Sequence, residues 1–365
     1  MKIVFLVEQL INSGPENVVF NICNCIDRVK YTPILFSLRE EAGRNSIEAK
    51  FNAIKIEIIH FGFSTIDLEL KTKKTAAVIG NKFKEIGGEV LHVHCYHPQL
   101  IAQYLKGIHT VVTLHNISGE DLLLKKGKLL GSYMKWRFDH AIPHIEKVVS
   151  ISDYMTQYYN DLCKGIIKVP NGVQYRKDDR FDSMNFKASI GLDPNKEIIL
   201  VTGTISERKN VGYLVSELKE SKKDFVCIIL GEGDKADECK QIAASDSRFR
   251  FEGFKNNVKD YLYIADLYIS ASKSEGLPMS VLEALNMGVP CLLSAIPPHI
   301  EIQNNMNVNG VKCFELEKGA LLELLEKGNG HNTNNIEIAK KAISLYSAEA
   351  MTKGYELIYD ELLKK

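Results

Sequence analysis

Ser272-Lys273-Ser274-Glu275-Gly276-Leu277-Pro278-Met279-Ser280-Val281-Leu282-Glu283-Ala284, continued by Leu285-Asn286-Met287-Gly288-Val289-Pro290, is the most informative stretch of the chain. It follows a β-branched run, Leu267–Ser270, and turns into a segment with helical periodicity, Met279–Asn286. Glu275 therefore falls in a strand-to-helix loop that Gly276 and Pro278 shape. Pro278 suits the first helical turn, where its missing N–H has no partner to lose. The free N–H groups of that turn are donors for an oxygen-rich ligand. Glu283 follows one to two turns into the helix, where a carboxylate can accept two hydrogen bonds from a vicinal diol. Two surface glutamates around a helix cap are the plainer reading, and two glutamates eight residues apart form a weak pattern alone. The Gly-Leu-Pro insert and the following Ala284–Pro290 favour the functional reading.

Working outward, short strand-like runs alternate with helical stretches over the whole chain. The first series is Lys2–Val7, Pro33–Ser37, Ile54–Ile59, Val90–His94, Thr110–Leu114, Lys147–Ile151 and Ile167–Val169. The second is Glu197–Val201, Phe225–Leu230, Phe249–Glu252, Leu267–Ser270, Val289–Ser294 and Val311–Phe314. Asn17–Val29 reads as a helix between the first two strands. Such alternation predicts parallel sheets covered on both faces and joined by right-handed crossovers. Pro170-Asn171-Gly172 marks a turn and a domain boundary. A polar stretch to about Asn195 reads as a linker. The expectation is an N-terminal domain over 1–170, a C-terminal domain over 171–347, and a last helix, 348–365.

The length of 365 residues fits about two domains at roughly 150 residues each. Basic and acidic residues number 46 each, so the net charge is zero, which argues against a dedicated nucleic-acid binder. With 45% hydrophobic and 25% charged residues, disorder, collagen and coiled coil are excluded. Eight cysteines without CxxC spacing, several in apolar runs, read as reduced thiols of a cytoplasmic protein. The N-terminal run MKIVFLVEQL is interrupted by Glu8 and has no small-residue cleavage site, so it reads as a strand rather than a signal peptide. No run approaches the roughly 18 apolar residues of a membrane span.

Taken together, these blocks resemble the retaining GT-B glycosyltransferases of family 4, whose hallmark is E-x7-E followed by E-A-(apolar)-x-x-G-x-P, matched by Glu275 through Pro290. The resemblance runs over nearly the whole chain. It includes Gly203–Asn210, Leu230–Gly233, Phe251–Phe254, Val148–Ser152 and Val169–Val173. It implies an α/β, GT-B architecture: two Rossmann-like doubly wound parallel-sheet domains facing a central cleft. It also implies transfer of a sugar, with retention, from a nucleoside-diphosphate sugar (a uridine carrier by expectation) to a glycan, lipid-linked or polymer acceptor. The expected setting is cell-surface polysaccharide or glycoconjugate synthesis, without a metal or other cofactor. In that scheme the C-terminal domain binds the donor. Glu283 holds the ribose and the loop from Gly231 flanks the base. Arg208 and Lys209, after the Gly203 turn, hold the diphosphate and stabilise charge on the departing nucleotide. Lys209 matches the family lysine, whereas Thr204 stands where the family arginine often follows the glycine, so Arg208 is the substitute. Glu275, with the N–H groups of Gly276, Leu277 and Met279 around Pro278, grips the transferred sugar. The N-terminal domain contributes Gly14 from the loop Glu8–Asn17, where Glu16 is also kept, and His115 after the strand Thr110–Leu114, the counterpart of the family's cleft histidine. The last helix packs back on the N-terminal domain.

Two segments admit two readings each. His92-Val93-His94-Cys95-Tyr96-His97 has metal-like spacing, yet the resembled family needs no metal, which leaves His94 or His97 as acceptor-side residues. Leu122–Phe138 carries Lys125, Lys126, Lys128, Lys135, Arg137 and the single tryptophan, Trp136. Such a segment is suited to an anionic membrane or a lipid-linked acceptor, or it is a domain helix with one solvated face. The same fold also serves nucleotide-sugar epimerases and non-catalytic nucleotide-binding partners of other transferases. A glycosidase is disfavoured, because this glutamate spacing fixes no carboxylate pair across a sugar.

Overall fold

The computed structural model describes residues 1–40, 43, 46–174, 180–328 and 334–364. The chain divides into two compact units, one of Met1–Gly172 with Ala348–Lys365 and one of Val173–Ser347. The first unit holds a seven-stranded sheet in the order β3-β2-β1-β4-β5-β6-β7. Its strands are β1 (Lys2–Val7), β2 (Thr32–Ser37), β3 (Glu57–His60), β4 (Val90–His94), β5 (His109–Leu114), β6 (Lys147–Ser150) and β7 (Ile167–Lys168). The second holds six strands in the order β10-β9-β8-β11-β12-β13. These are β8 (Glu197–Thr202), β9 (Phe225–Leu230), β10 (Phe249–Gly253), β11 (Leu267–Ser270), β12 (Cys291–Ser294) and β13 (Val311–Phe314).

All pairings in both sheets are parallel. The central strands are buried almost end to end, as continuous apolar runs such as Phe225–Leu230 require when helices cover both faces, while the edge strands β3, β7 and β10 are partly open. In each sheet the strand order reverses once, between β1 and β4 and between β8 and β11. Such a reversal makes adjacent crossovers leave in opposite directions and opens a crevice at the carboxyl ends of those two strands. β8 and β11 share only two register pairs, Ile199 with Leu267 and Leu200 with Tyr268.

Three expectations shift. The run Ile54–Ile59 is not one strand: a helix, Glu48–Ala53, ends at Ile54, Lys55 takes a left-handed φ of 56°, and only then does β3 begin. β12 starts at Cys291 rather than Val289, because Gly288 is left-handed (φ 74°) and Pro290 has no N–H for the ladder. The first helix is Gly14–Cys25, three residues earlier than its periodicity suggests, with Pro15 in its first turn.

The stretch after Gly172 is also more than a linker. Residues 175–179 lie outside the described ones. Beyond them Phe181 stacks on Tyr263 at 4.1 Å and Phe186 meets Tyr261 edge-on at 5.2 Å, fastening the helix Ser183–Ser189 to the second unit. At the far end, the helix Ala348–Leu363 belongs to the first unit. Its Tyr355 and Tyr359 are buried there, the Gly172 N–H donates to the Met351 sulfur, and Lys30 pairs with Asp360 at 2.5 Å.

Candidate functional site

The second unit's crevice is built first by glycine. Gly203, Gly231 and Gly253 follow or close β8, β9 and β10 with φ of 125°, 140° and 69°. The Gly203 N–H donates to the Leu230 carbonyl at 2.9 Å, and the Gly231 N–H to Gly253 at 2.8 Å. A Cβ on Gly231 would overlap the Gly203 carbonyl oxygen, and one on Gly233 would overlap that of Ile205. Only bare backbone lets these turns nest so closely. The Lys209 side chain crosses directly over Gly203, whose ideal Cβ would sit 3.5 Å from the lysine Cε.

From the other side of the crevice β11 runs into Ala271–Pro278 and then the helix Met279–Asn286. The loops are tied together by the Lys273 N–H donating to the Arg208 carbonyl at 2.8 Å. Glu275 is the hub and is buried. Arg208 Nη1 lies 2.6 Å from its Oε2, and Lys209 Nζ 2.7 Å from its Oε1. The Ser272 hydroxyl donates to Oε1 at 2.8 Å, and Arg208 also donates to the Ser274 carbonyl at 2.7 Å. Burial alone would raise the Glu275 pKa, but the charges and hydrogen bonds of Lys209 and Arg208 outweigh it and hold the carboxyl at about 2. Two cations around one carboxylate leave a net positive site. The N–H groups of Met279 and Ser280 precede the first helical hydrogen bonds, which Val281 and Leu282 make to the Pro278 carbonyl at 3.1 and 3.2 Å, so the positive end of the helix dipole lies beside Glu275.

Glu283 lies one turn further on, half-buried on the same helix. Its charge is felt by the buried Tyr268, whose hydroxyl meets Ser280 and, at 3.2 Å, Thr202 Oγ1. Gly276, Leu277 and Pro278 are buried and Met279 half-buried. Thr204, in the place of the family arginine, lines a small pocket with Gly203, Lys209, Tyr268 and Ser272. The structure thus brings Gly203, Arg208, Lys209, Glu275 and the start of the Met279 helix to one point.

The corresponding edge of the first unit is rich in histidine. His115 Nε2 is 2.9 Å from His94 Nδ1, and both rings are kept neutral by burial, His115 at about 3. His92 is engaged at both nitrogens, by Tyr359 at 2.7 Å and Thr113 at 2.8 Å. His97 bridges Glu8 at 2.9 Å and Glu69 at 3.0 Å. Burial opposes its charge, but those two carboxylates raise its pKa. Both ring nitrogens of His92 and His97 are thus engaged in hydrogen bonds, as is Nδ1 of His94, whereas His94 Nε2 is buried without a partner. Gly14 opens the first helix, and the Ser13 hydroxyl donates to the Glu16 carboxyl, which burial pushes up to about 7.

Leu122–Phe138 divides between two helices, Ser118–Lys126 and Lys128–Ala141. Leu129, Tyr133 and Trp136 are exposed, and Trp136 stacks between Tyr133 and His140. Arg137 is turned to Glu69 and Lys135 to Asp139, while Lys126 and Lys128 are exposed. The side chain of Lys125 lies outside the described ones. No described helix is long and apolar enough to cross a membrane.

Sequence reasoning gave no role to Ser272, Ser294 and His299. Ser272 stands inside the quoted stretch, three residues before Glu275, a spacing that could have flagged it. Ser294 and His299 reach the site only across the β11–β12 pairing.

The chain matches the family described as Glycosyl transferases group 1 over residues 182–328 and that described as Glycosyltransferase Family 4 over residues 12–176. It is 25% identical to the UDP-Gal:alpha-D-GlcNAc-diphosphoundecaprenol alpha-1,3-galactosyltransferase of Escherichia coli, over 70% of this chain and 67% of that one. It is 21% identical to the O-antigen biosynthesis glycosyltransferase WclY of Escherichia coli, over 100% and 99% of the two chains. Among solved structures, a glycosyltransferase from Rickettsia africae superposes with a TM-score of 0.79 at 18% identity, covering 100% and 99%. Anabaena HepE in complex with UDP and glucose does so at 0.79 and 15% identity, covering 99% of each chain.

Proposed function

The chain belongs to the GT-B glycosyltransferases of family 4, and from that premise we propose that it moves a sugar, with retention, from a UDP-linked donor to a glycan or lipid-linked acceptor of a cell-surface polysaccharide. The observation that carries the reading is the Glu275 hub. Two cations and a helix N-terminus converge on one point at the strand reversal of the second unit. Such a site suits a diphosphate, and Arg208 and Lys209 would stabilise the charge that grows on the departing nucleotide. Glu275, already holding both cations, sets their position and offers its carboxylate to hydroxyls of the transferred sugar. Glu283 serves the ribose, Gly231 and its neighbours flank the base, and Gly276, Leu277 and Met279 supply N–H groups around Pro278.

Glu275 is a poor candidate for a covalent nucleophile, since both its oxygens are committed to cations and Ser272. This favours same-face attack assisted by the leaving phosphate. His115 and Gly14 are proposed for the acceptor-side unit, and no metal or other cofactor is needed in this scheme. The named activities of the two relatives, galactosyl transfer to a diphospho-lipid and O-antigen synthesis, support the acceptor class. The exposed Leu129, Tyr133 and Trp136 beside Lys126 and Lys128 suit peripheral contact with the inner face of the cell membrane.

The test is transfer of radiolabelled sugar from UDP-glucose, UDP-galactose or UDP-N-acetylglucosamine to a diphospho-lipid-linked sugar, in EDTA. Transfer by the wild type and its loss in Glu275→Gln would support the reading. Interconversion of the donor sugar without acceptor would replace it with an epimerase, and no turnover of any donor would contradict it.

A further inference from the structure

His299 lies in the helix Pro297–Met306 that follows β12, and it is fully buried. Its Nδ1 is 2.9 Å from the Ser294 carbonyl oxygen and 3.1 Å from the Ser294 hydroxyl. A carbonyl can only accept, so Nδ1 carries a proton. The Ser294 hydroxyl spends its own proton on the Ser272 carbonyl at 2.6 Å, which makes it an acceptor toward Nδ1 as well. Burial keeps the ring neutral. Nε2 is therefore a bare lone pair, and it is buried without a hydrogen-bond partner. An unsatisfied buried acceptor of this kind is rare in native proteins and marks a place where a donor is missing. The ring lies within electrostatic reach of Glu275 and Lys209. The residue that anchors it, Ser294, holds the carbonyl of Ser272, and the hydroxyl of Ser272 holds Glu275.

We propose that His299 is a further donor-site residue whose Nε2 accepts a hydrogen bond from a hydroxyl of the transferred sugar. The inference rests on the function proposed above and assigns part of its sugar subsite. The chemistry selects the ligand atom. An ionised phosphate oxygen has no proton to give and would meet the lone pair with repulsion. A sugar hydroxyl gives its proton to Nε2 while its oxygen accepts from a cation such as Lys209. His299 thereby discriminates on the sugar and is indifferent to the nucleotide.

The experiment is calorimetric binding of UDP, GDP, UDP-glucose, UDP-galactose, UDP-N-acetylglucosamine and GDP-mannose to the wild type, His299→Phe and His299→Gln. The expected result is unchanged affinity of His299→Phe for the free nucleoside diphosphate, with about five- to tenfold loss of affinity for its sugar conjugate. His299→Gln, which places an acceptor oxygen near Nε2, recovers part of that loss. Equal affinity of all three proteins for the sugar conjugate overturns the inference while leaving the transferase reading intact. Failure of the wild type to bind any of the six overturns both. Where His299→Phe does not fold, donors lacking single sugar hydroxyls replace it. One of them then binds the wild type several-fold more weakly, and insensitivity to every deletion overturns the inference.

Discussion

The two units carry the same device, a reversal of strand order that opens a crevice, and furnish it in opposite ways. In the second unit the crevice holds Arg208 and Lys209 around one carboxylate, beside a helix start and over nested glycines. In the first it holds neutral histidines in tandem and His97, whose pKa two flanking acids raise against the effect of burial. The first pattern leaves one net positive charge around Glu275. The second satisfies its charges internally, and its rings are held by partners from elsewhere in the unit. The cationic edge draws on two loops, after β8 and after β11, whereas the histidine edge is tied to elements as distant as the last helix. The difference teaches that one topology can present a charge-selective site in one copy and a largely self-satisfied surface in the other.

The contrast breaks most sharply if the cations of the second unit are dispensable. Lys209→Ala should lower turnover roughly a hundred- to a thousandfold, as loss of one charge-stabilising group does, and should also lower the melting temperature, because the buried Glu275 carboxylate loses one of its two cations. Steady-state kinetics with the productive donor checks this, and comparable rates would remove Lys209 from the chemistry.

A second prediction concerns Glu16 in the first unit. Its folded pKa of about 7 exceeds the ordinary 4.5, so its contribution is fully present below pH 4.5 and is lost as pH rises through 7. Glu16→Gln should remove that loss, which is on the order of 3 kcal/mol across the window. Chemical denaturation at pH 4.5 and pH 8 would show the variant gaining on the wild type at the higher pH; a constant difference would place the carboxyl in water.

A smaller effect sharpens the same comparison. Tyr359→Phe leaves His92 Nδ1 buried without its 2.7 Å partner. The expected loss is about 1–3 kcal/mol of stability, with nucleotide affinity unchanged. Unfolding curves and nucleotide titration on one sample would separate the two, and a weaker nucleotide affinity would show that the first unit's histidine network reaches the donor site.

Legibility in sequence follows the same divide. The strand series was readable because parallel strands buried on both faces are continuous apolar runs, as in Phe225–Leu230. The helix Met279–Asn286 was readable to the residue because Pro278 fixes its start. Where the chain reverses abruptly, at Lys55 and Gly288, backbone geometry overrode hydrophobic pattern. Arg208 and Lys209 were legible as a basic pair in the loop after β8, and Glu275 in the loop after β11, although their mutual pairing was not. The network around His92 was invisible: Tyr359, which meets its Nδ1, and Tyr355, which meets its other partner Thr113, stand more than two hundred residues away and arrive only because the last helix returns to the first sheet. His299 was invisible for the same reason on a smaller scale, since its tautomer is set by Ser294 and its neighbourhood by an adjacent strand.

The most direct measurement is calorimetric titration of UDP into the whole chain in EDTA, for the wild type and for Lys209→Ala. The account predicts one binding site in the wild type and at least tenfold weaker binding in the variant, the scale of a lost charge-assisted contact. Absence of UDP binding, or equal affinity in both proteins, would contradict it.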